Sequence, residues 1–307
     1  VASTARAAEV PLYGVTVPLK GTTDADRNAA LGEALREVVV RASGRRDAAR
    51  NPVVSKNADG ASRLVQQYSA TPSGELRAGF EPDTIDEILS DAGLPSWPSE
   101  RPVTLVVMAG ATRGHALRAG DSSPGGAAIA EAARARGVPL VWPVAEVTIE
   151  TIRARLDASG VEAAARTAGV QADAVLLATG SDGQTDWVIA HGADTARRRG
   201  SPADGAHLAA DTFAEIYAPD STRSLSTASV RIDGVESLQA YAGLLKELDS
   251  ISMVRGIAVG EIQGSTVRFD LTLRGDLALL RRITALTPAL KPTDASDPAA
   301  PQFIYTP

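Results

Sequence analysis

Histidine is the side chain best suited to proton transfer near neutral pH, and the 307 residues hold three: His115, His191 and His207. His115 falls in a glycine- and serine-rich stretch, Gly110 to Gly126; His191 ends an expected strand; His207 opens an expected helix. No two of them have the spacing of a metal-binding helix or a zinc finger, so no metal ligands are assigned. A site assembled in space, with His115 or His191 beside a carboxylate, would be hydrolase chemistry.

The segment Gly120-Asp121-Ser122-Ser123-Pro124-Gly125-Gly126 lies between an expected strand and an expected helix, where a nucleophilic serine could sit. Its spacing is not that of a nucleophile elbow, and Pro124 interrupts it. It also lacks the lysine and Ser/Thr of a phosphate-binding loop, and the chain has no G-x-G-x-x-G. Two carboxylate pairs stand out, Asp24 with Asp26 and Asp204 with Asp211. The first falls at a helix start, where negative charge complements the dipole, the second brackets a helix whose other face is core, and both are expected to be solvated. The reading assigns no catalytic residue and no cofactor.

Four aromatic or apolar residues are the candidates for contact with a partner. Trp187, at the start of an expected edge strand, is the best candidate for a partly exposed contact, and Phe303, Ile304 and Tyr305 form an apolar cluster near the end of the chain. Burial is nevertheless the first expectation for all three tryptophans, Trp97 between Pro95 and Pro98, Trp142 and Trp187, given the area an indole hides.

Composition excludes several function classes. The net charge of −6 opposes phosphate-backbone binding, so no nucleic-acid partner is expected. Without cysteine there are no disulfides, thiolate zinc sites, iron–sulfur clusters or cysteine nucleophiles. No stretch reaches 18 apolar residues, so no transmembrane segment is expected. Only Lys20, Lys56, Lys246 and Lys291 are lysines; the arginine surplus, beside so many alanines, reads as coding bias. Ala5-Arg6-Ala7 has the small-x-small form of a signal-peptidase site, which leads to the expectation of an exported, periplasmic protein.

The elements that would position these residues divide into three modules and a tail. Residues 9–98 read as an α+β domain: a strand over 12–19, a long helix capped by Thr23 or Asp24 and closed by Gly44, a helical stretch over 51–69, a strand over 76–80 and a helix from Asp83. Residues 102–219 read as β-α-β-α-β-β-α. Val103–Met108 is apolar throughout, as in a strand buried on both faces, and Ser181-Asp182-Gly183-Gln184 reads as a hairpin loop. Residues 225–287 read as β-α-β-β-α, with a helix stripe of Leu238, Tyr241, Ala242, Leu245 and Leu248, and a strand whose Val267, Phe269, Leu271 and Leu273 face one way. The tail, 288–307, holds five prolines and is expected to be extended, packing on the body or binding a partner. The expected fold is α/β and α+β: three small domains, the middle one a mainly parallel sheet with helices.

Several of these segments are familiar together: Leu12-Tyr13-Gly14-Val15-Thr16-Val17-Pro18, Arg27-Asn28-Ala29-Ala30-Leu31 with the helix to Gly44, Val65-Gln66-Gln67-Tyr68, and Gly93-Leu94-Pro95-Ser96-Trp97 before Arg101-Pro102-Val103. With these the chain resembles the exported bacterial proteins grouped as domain of unknown function 2066; the resemblance implies export and carries over no catalytic residue. Gly169-Val170-Gln171-Ala172-Asp173-Ala174-Val175-Leu176-Leu177-Ala178-Thr179-Gly180 resembles the helix-to-strand junction of the TolB amino-terminal domain, and of outer-membrane lipoproteins that activate penicillin-binding proteins. That resemblance implies a protein-binding fold more than a particular function.

The functional expectation is therefore a non-catalytic periplasmic adaptor that binds other cell-envelope proteins, alone or within a larger assembly or oligomer, with strand addition at a sheet edge as one mode. Two alternatives stay open: a periplasmic protein that binds a small molecule or glycan, between the first two domains or under the 110–126 loop, and a hydrolase with a His–carboxylate site.

Overall fold

The computed structural model describes residues 11–110, 114–179, 185–219, 224–294 and 302–306. Ala5-Arg6-Ala7 and the expected turn at Ser181–Gln184 lie outside them. Among the described residues the chain forms eight α-helices and thirteen strands in three sheets, the mixed α/β and α+β architecture expected. Contacts group the chain into two compact units: Val1–Ile85 with Arg101–Glu215, and Asp86–Glu100 with Ile216–Pro307.

The first unit carries two of the sheets. The first is built from β1 (Gly14–Pro18), β2 (Val65–Ala70) and β3 (Glu75–Phe80), in the antiparallel order β1-β3-β2. Between β1 and β2 run α1 (Asp24–Ser43) and α2 (Pro52–Asp59). Thr23 caps α1 in a capping box: its hydroxyl accepts from Asp26 N–H while the Asp26 carboxylate takes the Thr23 N–H. Leu31, Leu35, Val38, Val39 and Ala42 of α1 are buried, and Gly44 closes the helix at φ 70°. The helix expected over 51–69 ends at Asp59, and Val65–Ala70 is a strand. Five of its six residues are exposed, so no apolar alternation marks it. The helix α3 (Pro82–Asp91) follows β3.

The second sheet comprises β4 (Thr104–Val107), β5 (Leu140–Val141), β6 (Ala174–Thr179), β7 (Thr185–His191) and β8 (Asp194–Gly200), in the order β5-β4-β6-β7-β8. β5, β4 and β6 are parallel; β7 and β8 are antiparallel additions. The connecting helices are α4 (Pro124–Arg136), α5 (Ile149–Thr167) and α6 (Pro202–Tyr217). Every residue of β4 is buried, as its apolar run requires. Leu105, Val107, Val175 and Leu177 share a core with Ile152, Ala164 and Ala165 of α5. α5 is longer than the expected 161–168 and breaks at Gly160, whose φ is 78°. β8, Asp-Thr-Ala-Arg-Arg-Arg-Gly, has no apolar alternation and was not expected; with it in place β7 is an interior strand.

Buried arginines hold the parts of this unit together. Arg41 is 1% exposed and Arg136 2%. Arg41 Nη1 donates to the carbonyls of Pro11 and Gly14, and Nη2 to Glu37 at 2.7 Å. Arg136 Nη2 donates to the Gly44 carbonyl and to Asp211, each at 2.8 Å, and Arg101 Nη2 donates to the Arg41 carbonyl. Asp211 also receives Arg198, so it is a bridging anion and not the solvated carboxylate expected. Asp204 accepts from the Ser201 N–H and hydroxyl at the start of α6, which lowers its pKa. His207 lies against this network, 3.4 Å from Arg136 Nη1. Burial, then the charges of Arg46 and Arg136, push its pKa below the usual histidine value, against the weaker pull of Asp211 and Asp204.

The second unit is one sheet: β9 (Leu225–Asp233), β10 (Val254–Gln263), β11 (Thr266–Arg274), β12 (Leu290–Pro292) and β13 (Phe303–Tyr305), in the order β10-β11-β9-β13-β12. Its helices are α7 (Leu238–Ser250) and α8 (Leu277–Leu286). The β-α-β-β-α order is as expected, and Val267, Phe269, Leu271 and Leu273 are buried. The buried line of α7 is Ala240, Leu244 and Leu248, with Tyr241 stacked 6.4 Å from Phe269, whereas Leu238, placed in the expected stripe, is 83% exposed. The tail returns to the body: β13 is parallel to β9 and antiparallel to β12. Residues 86–100 also belong to this unit. Asp86 is buried, accepts from Ser96 Oγ and pairs with Arg255 and Arg274; Glu100 accepts from Ser252 N–H and Oγ.

Phe303 is fully buried between β9 and β12, so Phe303→Ala should destabilise the second unit by about 3–5 kcal/mol; chemical unfolding of the two variants measures it. The neutral His207 sets the pH response of the first unit. Because its folded pKa lies below the unfolded value, the unfolded chain takes up the proton first as pH falls below about 6.5. Stability should therefore drop on acidification through that window, and urea midpoints measured from pH 7.5 to 5.5 should fall less steeply in His207→Gln.

Candidate interaction site

The structure does not gather the histidines into one centre. His191 Nδ1 is 2.7 Å from the Asp173 carbonyl and its ring meets Phe213 edge-on, so it is a half-buried packing group. His207 belongs to the arginine network. His115 stands in the 110–126 segment, which two isolated bridges pin: Ala109 to Ala116 and His115 to Thr148. Its Nδ1 is 3.2 Å from Glu146, and both line a cavity of about 250 Å³ with Arg118, Asp121 and Ser122. Among the described residues no group of three or more His, Asp or Glu could hold a metal ion.

The partner-contact residues fare differently from one another. Trp187 is fully buried between β6 and β8, and its indole N–H donates to the Ser201 carbonyl. Its candidacy as a contact rested on an edge position that β8 now occupies. Phe303 and Tyr305 are buried under the sheet they complete, and Ile304 alone of the three is open, at 48%. Trp97 is buried, but Trp142 is only half-buried, because β5 ends at Val141.

A concavity of the first unit lies along β1. It encloses about 610 Å³ and is lined by β1 from Gly14 to Pro18, by Glu37 and Arg41 of α1, by Glu131 and Arg134 of α4, and by Glu75 and Arg77 of β3. β1 is an outer strand, and among the described residues only β3 pairs with it. Hydrogen-bond parity shows which of its groups face outward. Phe80 N–H donates to the Tyr13 carbonyl and Leu19 N–H to the Gly74 carbonyl, so the odd-numbered residues bond to β3. Gly14, Thr16 and Pro18 therefore point their main-chain groups away from it. Arg41 occupies the Gly14 carbonyl, and proline has no N–H. Four groups remain for an added strand: the N–H of Gly14, both groups of Thr16 and the carbonyl of Pro18.

The same face is charged. Thr16 and Pro18 stand opposite Arg77 and Glu75 and are exposed, while Val15 and Val17 point into the core. Glu37 is pushed up in pKa by burial, against the opposing pull of Arg41, and burial likewise lowers Arg41. The wall thus carries three acids and three bases beside the apolar residues of β1. Periodicity reading found β1 but could not find this site, because α4 reaches it from more than ninety residues downstream.

The model of a family described as a domain of unknown function (DUF8605) matches residues 7–98, the segment that holds the first sheet. This is a different family of unknown function from the one the sequence resembles. No curated protein and no solved structure gives a match. Among the described residues no helix is long and apolar enough to cross a membrane.

Proposed function

We propose that this protein is a non-catalytic adaptor of the cell envelope, exported to the periplasm, that takes an extended segment of another envelope protein onto the outer edge of β1. The observation that carries the reading is that edge: four outward main-chain groups beside a charged cavity long enough for an extended segment. Main-chain bonds would supply affinity, and the alternating charges of Glu37, Glu131, Arg134 and Arg77 would select a segment of mixed charge. Arg41 and Pro18 limit the pairing to a short strand, which suits reversible binding. Export rests on the Ala5-Arg6-Ala7 signal and the family resemblance.

Thr16→Pro tests this directly, because it removes the central donor without touching β3. Capture from a cross-linked cell envelope should lose a defined set of proteins roughly tenfold in this variant, about the worth of one main-chain hydrogen bond, while Lys20→Ala retains them. Identical capture by all three proteins would sink the reading.

One observation favours a second reading, a small ligand or hydrolytic site under the 110–126 segment: the His115–Glu146 pair in its 250 Å³ cavity. A ligand bound there raises the thermal midpoint of the folded protein, and His115→Gln should abolish that rise.

A further inference from the structure

The second unit leaves one long strand open. β10, ten residues from Val254 to Gln263, is the outer strand of the sheet, and among the described residues β11 is its only strand partner. It is more exposed than an edge that folding alone accounts for. Val259 stands opposite Phe269 and Ile262 opposite Val267, so both lie on the face that α7 covers further in, yet they are 46% and 62% exposed. Two β-bulges interrupt the register with β11, one at Arg255 and one at Gly260-Glu261. Beside Gly260 lies the Arg268 guanidinium, 2.6 Å from where a Cβ would stand.

The strand reads nearly the same in both directions about Ala258: Val254-Arg255-Gly256-Ile257-Ala258-Val259-Gly260-Glu261-Ile262. An antiparallel copy centred there sets Ile257 against Val259, Gly256 against Gly260 and Val254 against Ile262. It also sets each Arg255 position against a Glu261 position. The bulges fall at mirrored places. We infer that a second copy of this chain pairs with the outer edge of β10, antiparallel about Ala258, joining two five-stranded sheets into one.

Main-chain parity permits this. Arg274 N–H donates to the Met253 carbonyl, so residues 253 and 274 are a hydrogen-bonded pair and Val254 faces outward. Counting through the bulge at Arg255, Ile257 and Val259 also face outward, and so does Ile262 beyond the second bulge. The centred pairing makes 257–259 and 259–257 hydrogen-bonded pairs, four main-chain bonds in all. Centres at 257 or 259 satisfy parity too. They set Arg255 against Val259 or Gln263, and Glu261 against Met253 or Ile257; since Arg255 already pairs with Asp86, the apolar matches of Ile257 with Val259 and Val254 with Ile262 select 258. A C2 pairing of this kind closes on itself and leaves no edge for a third copy. One strand pair buries less than the ~1,200–2,000 Å² of a stable interface, so the dimer depends on protein concentration.

The absence of native cysteine makes the test clean. Ala258 is exposed and would meet its own copy in a non-hydrogen-bonded pair, where Cα atoms lie ~4.5 Å apart, within disulfide range. In the full chain, Ala258→Cys should form a covalent dimer under mild oxidation at least ~10-fold faster than Leu238→Cys, an exposed cysteine off the strand, because pairing raises the effective thiol concentration. Adding Val259→Lys, an edge-blocking charge, should return the rate to that of the control. Circular dichroism checks that each variant is folded. Cross-linking of Ala258→Cys no faster than the control, or unchanged by Val259→Lys, overturns the inference, whatever mass light scattering reports.

Discussion

The first unit depends on how the carbonyl end of α1 is satisfied. A helix ends with carbonyls that lack partners and a partial negative charge. Here that end is buried, and guanidinium groups meet it: Arg101 at the Arg41 carbonyl and Arg136 at the Gly44 carbonyl. Arg41, one turn back, reaches the other way and ties the chain entering β1 to the helix. Buried charge is costly, and pairing with carbonyls and carboxylates offsets part of that cost. Glu37 and Asp211 supply that compensation. Gly137, which closes α4 at φ 70°, leaves the space that the Arg41 side chain fills, since a Cβ there would meet it at 2.5 Å. One small region thus joins α1, α4, α6 and the start of β1, and sets the cavity along that strand.

Open edges then determine what the protein can do. The middle sheet has its antiparallel side finished by β8, a strand with three arginines and a half-exposed pattern. The third sheet is closed on one side by the tail, which pairs β13 with β9. Two of the outer strands, β1 and β10, are managed differently. β1 is short, partly capped and charged, whereas β10 is long, bulged and apolar at its exposed end. The difference accords with the two partners proposed: a mixed-charge segment at the first, a second copy at the other.

Much of the fold was legible in residue pattern. α1, β3, β4, β6, β11 and α8 have clear periodicity or buried runs, with caps at Thr23, Gly44 and Asp276. Two strands were invisible for one physical reason. β2 and β8 lie at sheet edges, so most of their residues face solvent and carry no alternation. The candidacy of Trp187 as a contact followed from the loss of β8, since one unseen neighbour turns an interior strand into an apparent edge. The stripe of α7 shifted because Leu238 belongs to the first turn, beyond the reach of the sheet.

By itself the sequence determined the class of fold, the order of elements, the core faces of the strong helices and strands, and the missing chemistry of cysteine. Those properties are local or compositional, and the chain carries them wherever it is placed. The tertiary structure decided which arginines are buried, which strands stand at sheet edges and where the tail goes. Each depends on residues far apart in sequence meeting in space: Arg136 and Gly44 are 92 residues apart, and β9 and β13 about seventy. No local period encodes such meetings, because they are selected by the shape and polarity of surfaces that exist only after the elements have formed.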